Sequence, residues 1–242
     1  MTPAQPTPSA AGGPGPAPSA ATGPALSPFA GLLVVDERGC RRLAAELFAG
    51  TTPTLLPAAD FDPPAPFAGP LFAAIEGFAR AAASATAAAS AGTAQAGRPA
   101  AEPAAAEPAG AQGAARMGLV VPVIWLGPPP PPDAVLVADH VNLTLRGPLS
   151  GRWPAGRPRA FPVLTGVYQP LAGRACEGPR VYSLLAVAGV QDAQRLTPFE
   201  RSSIAVCGLP AASACLVAPV VIAAYYGLRV AAAGAPLGPT AT

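Results

Sequence analysis

Residues 195–230 have the sequence RLTPFERSSIAVCGLPAASACLVAPVVIAAYYGLRV, and this stretch contains clear signals for helices and strands. Thr197-Pro198 is typical of a helix start because proline suits the first helical turn, and Glu200 is favoured there by the helix dipole. The pattern predicts a helix over 197–207, a strand over 214–217, a helix over 220–226 and a strand over 228–233. Strands that alternate with helices indicate a mostly parallel sheet that is covered on both faces.

The segments before this stretch continue the alternation. Apolar runs predict buried strands over 29–35, 118–126, 133–138 and 180–188. Leucine spacing predicts a helix over 40–48, and the alanine-rich residues 70–90 can extend a second helix. Prolines that alternate with apolar residues over 54–68 indicate a loop with a short strand. We therefore predict an α/β domain whose strands share one central mixed sheet flanked by helices.

Proline and glycine mark the parts of the chain outside this domain. The sequence has 34 prolines and 26 glycines, and they are unevenly distributed. Stretches rich in them bury too little apolar surface to offset the entropy lost on ordering. We predict a disordered tail over 1–28, a domain over 29–233 with a low-complexity insertion at about 84–115, and a second tail over 234–242.

The composition argues against several classes of function. All 15 basic residues are arginine, and the net charge of +2 is too small to predict nucleic acid binding by itself. The four cysteines include no C-x-x-C pair, and His140 is the single histidine. We therefore expect no metal site and no cofactor. The excess of alanine, proline, glycine and arginine is typical of a GC-rich genome, such as that of an actinobacterium or a DNA virus.

The sequence also carries information on membranes and secretion. The N-terminal residues lack a charged segment followed by an apolar core, so we expect an intracellular protein, nuclear or cytoplasmic, that is not secreted. Residues 202–228 are uncharged and long enough to cross a bilayer. Glycines and prolines interrupt them, and a buried helix, strand and helix would be equally apolar. We therefore expect no membrane span.

Four blocks of the sequence occur in an order known from one enzyme family. They are GLLVVDERGCRRLAAEL at 31–47, PDAVLVADHVNLTLRGPL at 132–149, RAFPVLTGVYQP at 159–170, and residues 195–230. Together they resemble the trimeric purine nucleoside phosphorylase and methylthioadenosine phosphorylase family. The second block is similar to the family's DHINL block, and the fourth aligns with the family without a gap. The resemblance spans 31–80 and 117–230, about two thirds of the chain.

The resemblance implies the family's fold, a possible homo-oligomer and a site for phosphorolysis, but the site residues differ from the family's. Its glycine-rich phosphate loop corresponds to Asp36-Glu37-Arg38, where two carboxylates would repel a phosphate dianion. Its purine-binding glutamate falls on Leu196, which cannot accept a hydrogen bond from the base. Its methionine and serine, which contact sugar and phosphate, fall on Ala214 and Cys215. We therefore expect a degenerate site and no turnover.

Two further groups of residues have alternative interpretations. Asp139-His140 would make a general acid–base pair, but a lone histidine beside an apolar strand is more often structural, and we expect that here. The arginine loop, residues 146–159, is a candidate interaction surface with Arg146, Arg152, Trp153, Arg157 and Arg159. It would contact a protein partner, or nucleic acid phosphates and bases; a solvated loop is the alternative.

A fold whose catalytic residues have changed persists when its surface matters, so the sequence favours a protein-interaction or regulatory scaffold. The partner would be a protein whose identity the sequence does not indicate. In size and composition the chain is also similar to the small nuclear phosphoproteins of alphaherpesviruses, which would make it a viral nuclear protein. The alternative is a residual purine nucleoside phosphorylase or nucleoside-binding activity with relocated residues.

Overall fold

The computed structural model describes residues 29–63, 65–94, 115–127, 131–144, 147–151, 159, 161–171 and 181–237. Within these ranges the strands are β1 (Phe29–Val35), β2 (Pro53–Leu56), β3 (Arg116–Trp125), β4 (Ala134–Asn142), β5 (Val181–Gly189), β6 (Ala211–Ser213) and β7 (Arg229–Pro236). The α-helices are α1 (Arg38–Leu47), α2 (Gly69–Ala94), α3 (Pro198–Val206) and α4 (Val217–Tyr225). A short 3₁₀ helix spans Ala58–Phe61. The predicted fold class, α/β with a central mixed sheet and flanking helices, is confirmed.

The sheet consists of two parallel groups of strands that run in opposite directions. Strands β2, β1, β3 and β7 form one group, and β4, β5 and β6 form the other. Antiparallel pairs β3–β6 and β4–β7 join the groups. Strand pairing therefore closes a ring in the order β3, β6, β5, β4, β7. Strands β1 and β6 both pair with one edge of β3, while β7 pairs with its other edge.

Continuous apolar runs explain why most strands lie where the sequence predicts them. The β1 residues Leu32, Leu33 and Val34 are almost completely buried, and β3 is buried from Arg116 to Val123. A strand covered on both faces has no polar side to alternate with, so its sequence is an uninterrupted apolar segment. Helix α1 adds Cys40 to the same core.

Helix α3 begins as the sequence predicts, and its first turn is a complete capping box. The backbone N–H of Glu200 donates to Thr197 Oγ1 at 3.3 Å, and the backbone N–H of Thr197 donates to Glu200 Oε2 at 2.7 Å. Pro198 occupies the first helical position, where its missing N–H costs nothing. The cap therefore fixes the residue at which α3 begins after β5.

The strand predicted over 214–217 was wrong, because it lies three residues earlier, as β6. Residues 214–216 form a bend, and α4 already begins at Val217. Pro219 falls in the first turn of α4, where backbone N–H groups have no intrahelical acceptor, so it does not delay the helix. The small residues Ala211 and Ala212 fit between β3 and β5, where they are fully buried.

Two elements extend past the bounds expected from composition. Helix α2 continues to Ala94, within the low-complexity segment, because alanine is a strong helix former. Strand β7 continues to Pro236, since it pairs with β3 as far as Val123. Among the described helices, none is both long and apolar enough to cross a membrane.

Candidate functional site

Three strands of one group end side by side. In the sheet register, Asn142 of β4 lies opposite Gly189 of β5, and Gly189 lies opposite Ser213 of β6. The carboxyl ends of parallel strands are a common place for ligand sites in α/β proteins, because the following loops bring polar groups together there. This edge of the sheet is therefore the candidate site.

A first cleft of about 360 Å³ opens at this edge. The 3₁₀ helix and its end contribute Phe61 and Asp62, the loop after β4 contributes Thr144, and the loop after β5 contributes Gln191. Ala214 lies in its wall, beside the start of α4. The cleft therefore combines a carboxylate, a hydroxyl and an amide with an apolar wall.

The wall of the first cleft depends on a close approach between β5 and α4. A Cβ atom on Gly189 would lie 2.1 Å from Cγ2 of Val217, so a larger residue does not fit without movement. Ser213 is the last residue of β6 and is followed by the bend that precedes α4. Its buried hydroxyl donates to the carbonyl oxygen of Pro122 at 2.7 Å and accepts the N–H of Cys215 at 3.2 Å.

A second cleft, of about 420 Å³, adjoins the first one and shares Val190 and Gln191 with it. Its apolar lining includes Leu196 and Ile204, and its rim includes Arg195 and Glu200 of the turn into α3. Leu196 is partly buried there. The Nε of Arg201 donates to the carbonyl oxygen of Leu196 at 3.1 Å, which holds this turn in place.

The turn between β1 and α1 lies beside the end of β7. A cleft of about 370 Å³ is lined by Glu37, Arg38 and Cys40 together with residues 235–237. Burial raises the pKa of Cys40 to about 12, with added contributions from the charge of Glu37 and from Cys215. Burial raises the pKa of Cys215 to about 12 as well, and Glu37 adds to this shift. Both thiols therefore stay protonated at neutral pH.

The carboxylates of this turn differ in their surroundings. Asp36 is paired with Arg41 at the surface, whereas Glu37 is partly buried and burial raises its pKa. Arg38 is exposed. Of the positions singled out by sequence, Glu37 thus lies near Cys215, while Leu196 and Ala214 line the two adjoining clefts.

Sequence reasoning missed the polar lining of the first cleft. Asp62, Thr144 and Gln191 were not singled out, although Thr144 and Gln191 come within six residues of the ends of the strands predicted over 133–138 and 180–188. Polar residues that follow strands of one parallel group meet at one edge, so this pattern was an available signal. Asp62 had no such signal, because it reaches the cleft through the 3₁₀ helix.

Two other expectations concern metals and the arginine loop. The described part of the chain contains no group of three or more His, Cys, Asp or Glu residues that could hold a metal ion. Of the arginine loop, Arg146, Arg152, Trp153 and Arg157 lie outside the described residues. Arg159 is described and is exposed.

Neither a protein-family model nor a curated protein sequence matches the chain. Among solved structures, it is similar to Schistosoma mansoni purine nucleoside phosphorylase in complex with a monocyclic inhibitor, with 20% identity, 51% of each chain covered and a TM-score of 0.43. It is also similar to a schistosoma purine nucleoside phosphorylase in complex with hypoxanthine, with 20% identity, 50% of this chain and 47% of that chain covered, and a TM-score of 0.42. For Schistosoma mansoni methylthioadenosine phosphorylase the identity is 15%, the coverage 51% and 53%, and the TM-score 0.37. The chain thus spans about half the length of the structures it matches.

Proposed function

We propose that this chain is a non-catalytic protein on a nucleoside phosphorylase-like framework, which acts by binding a protein partner. The observation that carries the proposal is the pair of adjoining clefts, one lined by Ala214 and the other by Leu196. In the sequence resemblance, Leu196 aligns with the family's purine-binding glutamate and Ala214 with a residue that contacts sugar or phosphate. Phosphorolysis needs groups that stabilise charge on the leaving base and on phosphate.

The phosphate side supports this proposal. A phosphate dianion near the turn after β1 would meet the carboxylates of Asp36 and Glu37, and like charges at close range oppose binding. The neighbouring thiols of Cys40 and Cys215 are buried and protonated. Of the described cations beside this turn, Arg41 is already paired with Asp36, and Arg38 is exposed.

The purine side supports it too. A departing purine gains negative charge. A side chain that forms a hydrogen bond with the base and stabilises this charge lowers the activation barrier of the reaction. Leu196 lies among apolar side chains such as Leu143 and Ile204 and offers no hydrogen bond. A polar base edge placed against the Leu196 side chain would lose its bonds to water without a replacement from that residue, which costs about 1–3 kcal/mol for each unpaired group.

Exposed apolar side chains on α3 favour a protein partner. Phe199, at the rim of the second cleft, is 80% exposed, and Val206 is 87% exposed. Large apolar residues at the surface beside a concave site are a usual feature of protein-binding regions.

The proposal also includes an intracellular location and self-association of the chain. A role as a viral nuclear protein is a more specific form of the same proposal.

Two measurements test the proposal. Purified protein incubated with phosphate and inosine, guanosine or methylthioadenosine should release no base above a protein-free blank, while an authentic purine nucleoside phosphorylase releases base under the same conditions. Turnover at an ordinary enzymatic rate would overturn it. In cross-linking from cells, the Phe199→Ser, Val206→Ser double variant should lose partners that the parent captures. Ala83→Ser, on the exposed part of α2, is the matched control and should keep them.

The arginine loop offers a separate partner surface in this proposal. Replacing Arg152, Arg157 and Arg159 together by alanine should leave the thermal unfolding midpoint unchanged, because the sequence predicts a loop there and loop positions contribute little to a core. The same variant should change nuclear retention or partner recovery. Parent-like behaviour in both assays would remove the arginine loop from the proposal.

Nucleoside binding without turnover is the second candidate. Asp62, Thr144 and Gln191 give the first cleft hydrogen-bonding groups that a sugar can use. Calorimetry with inosine distinguishes the candidates. Under our first proposal binding is weaker than about 1 mM, the level that corresponds to about 4 kcal/mol of binding free energy. Micromolar binding together with parent-like partner recovery by the Phe199 and Val206 variant would favour the second candidate.

A further inference from the structure

The segment 161–171 takes the place of a strand beside β7. Strand β4 pairs with β7 only from Val135 to Val137 and then separates from it. Beyond that point the N–H of Gln169 donates to the carbonyl oxygen of Val230, and the N–H of Val230 donates to that of Val167, each at 2.8 Å. The segment therefore lies between the end of β4 and the start of β7.

Two side-chain contacts add to these backbone bonds. Arg229 Nη1 donates to the carbonyl oxygen of Gly166 at 2.9 Å. On the other side, Tyr168 Oη lies 2.9 Å from Nδ1 of His140, with the two rings edge to face at 5.8 Å between centroids. Residues 164–168 and 138–140 line a cleft of about 390 Å³ between the segment and β4. The His140–Tyr168 bond thus connects the segment to β4.

Among the described side chains around this bond, the imidazole is the one of a residue type that titrates near neutral pH. Burial lowers the pKa of His140, and the charge of Asp139 opposes this shift without cancelling it. Burial, with a contribution from Asp139, raises the pKa of Tyr168, so the phenol stays neutral. Asp139 of β4 and Arg229 of β7 are the charged groups near the bond. The β5 residues opposite Asp139 and His140 are Ala186 and Val187, which carry no charge.

Protonation changes what the imidazole offers to Tyr168. The neutral ring can accept a hydrogen bond from the phenol, while the cation carries protons on both nitrogens and can only donate. The phenol hydrogen must then turn away from its acceptor inside a mostly buried site. Water also solvates the imidazolium poorly at this site, which costs free energy. Protonation therefore favours conformations in which His140 is exposed to water.

We propose that the His140–Tyr168 bond is a pH-dependent device that holds segment 161–171 against β7 at neutral pH and releases it in mild acid. In the open segment the imidazole has its ordinary pKa of about 6.5; in the closed one its pKa is lower. Closure is therefore fully favoured above pH of about 6.5, and that advantage is lost as pH falls towards the pKa of the closed form. Release would change the surface formed by Phe161, which is fully exposed, and Val163.

Because the chain has one histidine, a nuclear magnetic resonance titration reports on this residue alone. We expect its imidazole resonances to titrate below pH 6.5. Hydrogen exchange of the Gln169 and Val230 amides, corrected for intrinsic rates, should be faster at pH of about 5 than at about 7.5. The increase in the exchange rate between the two pH values should be at most about tenfold for each unit by which the pKa of His140 is lowered. Amides of β3 serve as the internal reference and should not respond.

Two variants separate the device from general acid instability. His140→Gln does not titrate but can still bond Tyr168, so its exchange should be slow and equal at both pH values. Tyr168→Phe keeps the ring but loses the bond, so its exchange should be fast at both. A histidine that titrates at or above pH 6.5 in the parent, or exchange in the parent that does not depend on pH, overturns the proposal even if the Tyr168 variant fails to fold.

Discussion

At the scale of single residues, the thiols show how position determines chemistry. Cys40 and Cys215 are buried, and their pKa values are raised to about 12. Cys207 follows α3 and is exposed. Since the thiolate is the nucleophile, a buried thiol with a raised pKa reacts slowly. These thiols are therefore suited to packing, and Cys207 is the reactive one among the three.

This difference predicts the pattern of alkylation. At pH of about 8, near the ordinary cysteine pKa, iodoacetamide should modify Cys207 and leave Cys40 and Cys215 unmodified in the folded protein. Peptide mapping by mass spectrometry measures each site separately. In denaturant all three should react alike, which is the control. Modification of Cys40 in the folded protein as fast as that of Cys207 would contradict the prediction.

Gly189 provides a second prediction at the residue scale. In Gly189→Ala the new methyl group would meet Val217, whose branched side chain cannot easily turn away. We expect the free energy of unfolding to fall by about 1–3 kcal/mol, as for other overpacked cores. Gly77→Ala is the matched control, because nothing lies within 4 Å of its Cβ position and it lies inside α2. It should instead stabilise the protein by about 0.5–1 kcal/mol, and denaturant unfolding measures both.

At the scale of elements, the capping box fixes the start of α3 and with it the rim of the second cleft. Thr197→Ala removes the side-chain acceptor for the N–H of Glu200. The variant should lose about 1 kcal/mol of unfolding free energy. Ser202→Ala, an exposed position on the same helix, should change little. Equal effects of the two substitutions in denaturant unfolding would show that the cap contributes nothing.

How far the elements could be predicted depends on their residues. Strands such as β1 and β3 are long apolar runs, so the length and hydrophobicity of these runs were enough to locate them. Strand β6 was misplaced because Ala211, Ala212 and Ser213 are small and lack the branched side chains typical of strands. The antiparallel joins β3–β6 and β4–β7 also escaped prediction, since pairing between distant strands depends on the packed structure rather than on local sequence. For the same reason the sequence singled out Leu196 and Ala214 but not the clefts that they line.

At the scale of the whole molecule, the closed ring of strand pairing couples early and late parts of the chain. Strand β7 pairs with both β3 and β4, and β6 pairs with β3, so the two groups of strands cannot separate without breaking the pairs that join them. We expect one cooperative unfolding transition for the sheet. Near-ultraviolet circular dichroism, to which Trp125 and the tyrosines contribute, should give the same midpoint as exchange of the β1 and β7 amides. Separate midpoints for the two strands would contradict this.

Helix α2 has a first half that packs on the sheet and a second half that does not. Among the side chains of α2 that the structure describes, Ala82 is the last to pack against the core, and residues 83–89 are all exposed. The second half is thus held by alanine's intrinsic preference for the helix, which in a segment of this length is close to balance between helix and coil. On warming, this part should melt gradually, from its free end, before the sheet unfolds. The far-ultraviolet signal should therefore decline with a steady slope below the main transition, and that slope should be the same in the destabilised Gly189→Ala variant.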